Sequence, residues 1–333
     1  MILGQDRAVA QFAEAWATRK LHHAWLLAGP KGVGKASFAH AAARRVLADA
    51  AGPHSDLPGV DTSDDHPMVK LIEAGSHPDM RWLQRLPKEK GEGLKQNITV
   101  EQVRALGEFM GMTAAMSEWR VAVIDTVDEL QAAGANALLK MLEEPPANTI
   151  FFLISNAAGR LLPTIRSRCR RLDFSGLGDD AMTSVLEAQA PALSAAERKR
   201  VIALAGGSAA RALAFAALGL AKLEDMALII LRDGDATNAR RSELALELGK
   251  KGAGERYAAF LDLAPALIAR EARRLDGAGR ERVLEAYAKA RELAGVAPRL
   301  SLDPAATVFQ LGGMLAEVAP PVSAKHLALS LKP

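Results

Sequence analysis

Cysteine is almost missing from this chain: 333 residues contain one, Cys169. A single thiol can close no internal disulfide and build no cysteine-based zinc site, and it fits a reducing compartment. A strong charge of either sign is missing too. Lys and Arg number 42 against 39 Asp and Glu, a formal charge of +3. That balance permits contact with nucleic acid but lacks the basic stripe of a non-specific DNA binder. No apolar run approaches the ~18 residues that a membrane-spanning helix needs. The opening Met1-Ile2-Leu3-Gly4-Gln5-Asp6 has neither the basic start nor the apolar core of a secretory signal. Repeats and low-complexity tails are absent. What is present, 49% apolar and 24% charged residues, is the profile of a folded globular protein. We expect a cytoplasmic protein with no membrane partner, long enough for two or three domains.

The first half alternates short β-like runs with helical patterns, as an α/β sheet does. Ala24–Ala28, Val121–Ile124 and Ile150–Ile154 are apolar, short and flanked by polar residues, which predicts buried strands. Met80 to Leu86 is a further strand candidate, followed by a charged loop from Pro87 to Gln96. Helices are expected from Lys35 to about Leu47 and from Ala132 to Glu144, the latter stopped by Pro145-Pro146. Thr99 and Gln102 form a capping-box pattern, with Ile98 and Val103 at hydrophobic-staple positions, so another helix opens there. Residues 49–79, rich in Gly, Pro, Asp, Ser and His, read as a surface excursion. After about Phe174 the strands stop. Three short helices are expected near 179–189, 195–205 and 208–218, then a loop at Asp233-Gly234-Asp235 and long Ala/Leu/Arg-rich helix from about 238. Asp303-Pro304 marks a helix start. The expected organisation is a P-loop α/β domain over 1–175, a three-helix lid over 176–222 and an all-helical domain over 223–333.

Gly29-Pro30-Lys31-Gly32-Val33-Gly34-Lys35 matches the P-loop pattern between a strand and a helix. Gly29, Gly32 and Gly34 let backbone amides curl around phosphates, and Lys35 would pair with the outer phosphates. The next residue should carry a hydroxyl for Mg²⁺, but it is Ala36. Ser37 is rotated about 100° around the helix and is a poor substitute. Asp125 ends an apolar run where a metal-coordinating aspartate belongs. The following position should hold the carboxylate that polarises attacking water, and it is Thr126, which cannot act as that base. Asp128 and Glu129 are displaced by two and three positions and read as solvated loop or cap residues. Intrinsic ATP hydrolysis is therefore not expected.

With these motifs in hand the chain resembles clamp-loader subunits of the AAA+ class. The resemblance rests on Ile2-Leu3-Gly4-Gln5, His22 to Leu27, His77-Pro78-Asp79, Leu138 to Pro146, Ile165 to Cys169 and Gly207 to Leu213, an ordered set spanning residues 2–213. Within the class it is most similar to the delta-prime family of bacterial DNA polymerase III. The resemblance implies an AAA+ (RecA-like) parallel-sheet domain, a helical lid and a C-terminal collar for oligomerisation. It implies motor (gamma/tau) and delta subunits as partners, with the sliding clamp reached indirectly and primed DNA met through the complex. The helix after Thr99 would turn its amides toward a DNA phosphate. Arg168, in Ser167-Arg168-Cys169, would reach a neighbour's γ-phosphate in trans, a task suited to a permanently charged planar fork. Ser155 and Asn156 stand at a sensor-1-like position, and Arg211 at the sensor-2 position.

The rest of the site reads more plainly. Arg166, Arg170 and Arg171 form a basic rim, Cys169 is a buried small residue, and His77-Pro78-Asp79 is a structural turn. No cofactor is required, ATP or ADP is the ligand the loop would take, and no metal is expected. Family members often carry a four-cysteine zinc module after the first P-loop helix; residues 49–76 contain no cysteine, so zinc is excluded there. Two rival functions remain: an ATP-hydrolysing motor subunit with unusual site residues, and a stand-alone P-loop phosphotransferase or DNA-binding adaptor.

Overall fold

The structure, a computed structural model, describes residues 2–88, 94–219 and 221–320. Five strands, β1 (Ala24–Ala28), β2 (Met80–Gln84), β3 (Arg120–Asp125), β4 (Thr149–Ser155) and β5 (Arg170–Asp173), form one sheet in the order β2-β3-β4-β1-β5. Every pairing is parallel. A parallel sheet needs crossover helices, which cover both faces and make its central strands continuously apolar. Accordingly β1 and β4 are buried at every position, while edge strands β2 and β5 are partly exposed. This is the parallel-sheet α/β arrangement expected from the sequence.

Helices α1 (Asp6–Ala17) and α2 (Lys35–Ala51) bury Phe12, Phe38 and Val46 against Trp25, Leu27 and Phe152 on one face. Helices α4 (Val100–Gly111) and α5 (Ala132–Glu143) place Val103, Leu106 and Leu138 on Leu26, Ile124 and Phe151 of the other. The α4 start follows the sequence. Thr99 accepts from the Gln102 amide, Gln102 accepts from the Thr99 amide, and both staple residues, Ile98 and Val103, are buried. Elsewhere the structure differs from the pattern. Helix α2 continues to Ala51, and the excursion contains a helix, α3 (Pro67–Glu73), capped by His66. The proline at its first position removes an amide that has no helical partner anyway. Strand β2 ends at Gln84, and Glu89–Gly93 of the charged loop lie outside the described residues.

The excursion is held by a buried charge pair. Asp49, 5% exposed, accepts from Trp16 Nε1 (2.8 Å), Arg45 Nε (2.7 Å) and the Ser55 amide (2.8 Å). The Arg45 fork then donates to the carbonyls of Ser55, Leu57 and Asp61. One guanidinium thus satisfies three loop carbonyls that no secondary structure would pair.

The described residues fall into two compact units, the first within 2–182 together with 207–210, and the second within 183–206 together with 211–320. The second unit is helical. After α7 (Asp179–Gln189), helices α8 (Ala195–Ala205), α9 (Ala209–Ala217), α10 (Ala221–Asp233), α11 (Ala239–Leu248), α12 (Gly254–Ala272), α13 (Gly277–Leu300) and α14 (Pro304–Val318) contribute to one apolar core around Phe260, Leu263 and Leu311. The long helix expected from 238 is broken into separate helices, and Asp303 caps the last by accepting from the Ala306 amide. Among the described residues, no helix is long and apolar enough to cross a membrane.

Candidate nucleotide site and arginine edge

The parallel register brings three strand ends to one edge. Ala28 pairs with Ser155, and Ile154 with Asp125, so Gly29, Asn156 and Thr126 emerge side by side. In α/β sheets that carboxyl edge is where ligands bind. The P-loop leaves β1 with Gly29 donating to the Ser155 carbonyl, and Gly34 enters α2 at φ +100°, a conformation that favours glycine. Gln5 pins the loop from outside, its amide donating to the carbonyls of Val33 and Ser175.

Lys35 is 3% exposed and turned inward. Its ammonium donates to the Gly29 carbonyl (2.7 Å), the Pro30 carbonyl and Asn156 Oδ1 (2.9 Å). An ammonium has three protons, and all three have protein acceptors here. Burial lowers its pKa to about 8, against the opposing charges of Asp128 and Asp125. Burial also raises the Asp125 carboxyl, although a hydrogen bond from Thr126 (3.2 Å) and the Lys35 charge pull it down. Both ionised forms that a magnesium–phosphate site relies on are thus disfavoured by their surroundings.

Asp128 corrects the expectation of a solvated loop residue. Ser155 Oγ donates to its Oδ1 (2.8 Å) and the Asn156 amide donates to its Oδ2 (2.6 Å). Asn156 also donates weakly to Thr126 (3.5 Å). Asp128 therefore fixes the asparagine that fixes Lys35. The short helical turn Val127–Glu129 points the carboxylate back at the end of β4, which sequence spacing did not reveal. Glu129 is not solvated either: it pairs with Arg85 at 2.7 Å, and burial raises its pKa despite that partner.

The remaining predicted residues lie elsewhere. Arg168 follows the short helix α6 (Pro163–Arg166); its Nη2 pairs with Glu143 at 2.7 Å and its Nη1 donates to the Thr164 carbonyl at 3.0 Å. Arg170 stacks over Trp25, and Arg171 pairs with Asp173; both arginines are exposed residues of β5 but point to opposite faces of it. Arg211, in the second unit, donates to the Ala205 carbonyl and lies 3.6 Å from Asp262. His77-Pro78-Asp79 forms a turn: the Asp79 amide donates to His77 Nδ1, and the Asp79 carboxylate gathers the amides of Ala115, Met116 and Ser117. Among the described residues no group of three or more His, Cys, Asp or Glu is arranged to hold a metal ion.

Cys169 is half-buried, not fully buried as expected, and desolvation pushes its thiol up to about 12. Only the thiolate attacks disulfides, and a thiol with that pKa is ~10⁻⁴ ionised at pH 8. Labelling of Cys169 by an aromatic disulfide reagent should be at least about tenfold slower in buffer than in denaturing urea, followed by absorbance. Equal rates would contradict this burial.

Comparison with known proteins places these features in a family. A family model described as DNA polymerase III, delta subunit, matches residues 4–178. The DNA polymerase III subunit delta′ of Pseudomonas aeruginosa is 35% identical over 189 residues, covering 56% of this chain and 53% of that protein. That of Bacillus subtilis is 34% identical over 163 residues, 49% and 45% of the two chains. The gamma/tau subunit of Mycobacterium tuberculosis is 32% identical over 185 residues, 56% of this chain and 30% of that one. The match to the two delta′ relatives thus spans about half of their length.

Proposed function

The chain belongs to the DNA polymerase III delta-subunit family, and from that premise we propose that it is a non-motor clamp-loader subunit. Its own P-loop turns over no ATP. Its Arg168 serves as a finger on the γ-phosphate of ATP held by a neighbouring motor subunit, and its helical second unit takes part in the ring. Through that assembly it helps load the sliding clamp on primed DNA in the cytoplasm, with gamma/tau and delta subunits as partners. Nucleotide in its own pocket would have to displace three acceptors from Lys35 and bind without the hydroxyl and the general base that Ala36 and Thr126 replace.

One observation carries this reading: the Lys35 ammonium is saturated by Gly29, Pro30 and Asn156, while Arg168 stands on a partly exposed edge. Phosphate at this P-loop must displace three acceptors from a buried lysine, whereas the partly exposed Arg168 has one anion to exchange for another.

The test is Mg-ATP turnover by the isolated protein, with Lys35→Met as the control. Wild type and variant should both sit at the no-enzyme background. Turnover by wild type that Lys35→Met removes would establish a motor subunit and overturn this reading. Steep salt-dependent binding of the isolated chain to DNA would favour an adaptor.

A further inference from the structure

Arg168 is already paired within its own chain. Its Nη2 lies 2.7 Å from Glu143 Oε1, with the two side chains 35% and 48% exposed. The pair is set by buried neighbours: Leu142, preceding the glutamate, and Ile165, three residues before the arginine, are 2% and 1% exposed. Both backbones are therefore fixed by the core, and only the two side chains are free to rearrange.

Glu143 is the last residue of α5, where the helix dipole presents partial negative charge and an acid is unfavourable. Helix stability gives no reason for an acid at this point. The neighbouring Lys140, in the same turn, is the residue type that the dipole favours. What the carboxylate does have is the Arg168 guanidinium. A guanidinium committed to one anion cannot present the same N–H groups to another. A terminal phosphate carries more charge and more acceptor oxygens than a carboxylate, so it can displace it. The Nη1 bond to the Thr164 carbonyl at 3.0 Å can persist while Nη2 changes partner.

We propose that Glu143 is a holding residue: it keeps Arg168 folded onto its own chain until a neighbour's γ-phosphate takes its place. The proposal rests on the trans-finger reading above and adds a regulatory step to it. Exchange is a side-chain rotation about a fixed backbone and is not rate-limiting in itself. Its effect is on the affinity of the finger for the neighbour's nucleotide, and so on the ATP concentration at which that site becomes active.

The experiment measures ATP hydrolysis against ATP concentration in the complex reconstituted with motor and delta subunits. It compares wild type, Glu143→Gln, Glu143→Ala, Arg168→Ala and the Glu143→Gln/Arg168→Ala double variant. Both Glu143 variants should lower the half-saturating ATP concentration about two- to fivefold, the range an exposed ion pair carries, with little change in maximal rate. The gain should shrink as salt rises and vanish in the Arg168→Ala background, a dependence that a purely structural Glu143 would not show. If Arg168→Ala is slow but neither Glu143 variant lowers half-saturation, or both raise it, the holding role is wrong and the finger stands. If Arg168→Ala turns over like wild type, the finger reading itself falls and the holding role with it.

Discussion

Replacing Arg168 by alanine should slow ATP hydrolysis at the neighbouring motor site by about 10³-fold or more, the scale on which arginine fingers act in P-loop enzymes. The isolated protein should show no effect, since on the proposed reading the group works on a nucleotide bound elsewhere. In a complex with several motor sites the steady-state rate falls only to what the other sites supply. Single-turnover hydrolysis is the sharper measurement: the fast phase should lose the share of amplitude belonging to the adjoining site. Assembly of the complex, followed by size-exclusion chromatography, should not change, because Arg168 is a partly exposed edge residue whose ion pair contributes little to folding. Lysine at this position should rescue poorly, since a compact ammonium cannot reproduce the planar fork.

The second large effect is on stability. Asp49→Ala should cost about 3–5 kcal/mol, because it leaves the Arg45 guanidinium without its counterion in a site where the Asp49 side chain is 2% exposed. In a unit of this size that corresponds to a fall in melting temperature on the order of 10 °C. Arg45→Ala should be comparable, since it also releases the carbonyls of Ser55, Leu57 and Asp61. The pH dependence follows from the carboxyl. Burial pushes the Asp49 pKa up, but hydrogen bonds from Ser55, Trp16 and Arg45 outweigh it, so the net shift is downward. A depressed carboxyl pKa stabilises the fold above the unfolded value near 4 and loses that contribution as pH falls through the folded value. Acid unfolding followed by circular dichroism should therefore start at higher pH once the carboxylate is tied down less well. The Trp16→Phe variant, which removes one donor, supplies that comparison. A variant with wild-type melting and acid transitions would show that the pair does not hold the excursion.

Much of this architecture could be read from residue patterns, and the failures have physical causes. Apolar runs such as Ile150–Ile154 announce buried strands, and the Thr99–Gln102 box announces a helix, because each signal is local. In the sequence Arg170 and Arg171 read as part of a basic rim, yet they open strand β5. It is an edge strand, buried only at Leu172, and two arginines and an aspartate in four residues hide that role. Helix α3 was concealed in a segment rich in turn-forming residues. The pair Arg45–Asp49 is an ordinary i,i+4 spacing, and nothing local says that Trp16 and the 55–61 loop close over it.

The site divides in the same way. Ala36 and Thr126 are visible as single-residue departures from a motif, and the absence of a hydroxyl and a carboxylate is chemistry that needs no coordinates. The roles of Asp128 and Asn156 are not visible, since they depend on β3 and β4 ending level with one another. Only that register turns a sensor-like asparagine onto Lys35, and only the turn Val127–Glu129 brings an aspartate to hold it. In the sequence Glu143 is one letter of a motif; its pairing with Arg168 needs α5 and α6 to pack together.

The central claim is that this chain has a silent pocket and an active edge. Its most direct test is single-turnover ATP hydrolysis by the reconstituted complex carrying either Lys35→Met or Arg168→Ala in this subunit. Lys35→Met should leave the fast phase at wild-type rate and amplitude, while Arg168→Ala should remove the adjoining site's share of it. The reverse pattern, loss with Lys35→Met and none with Arg168→Ala, would contradict the claim.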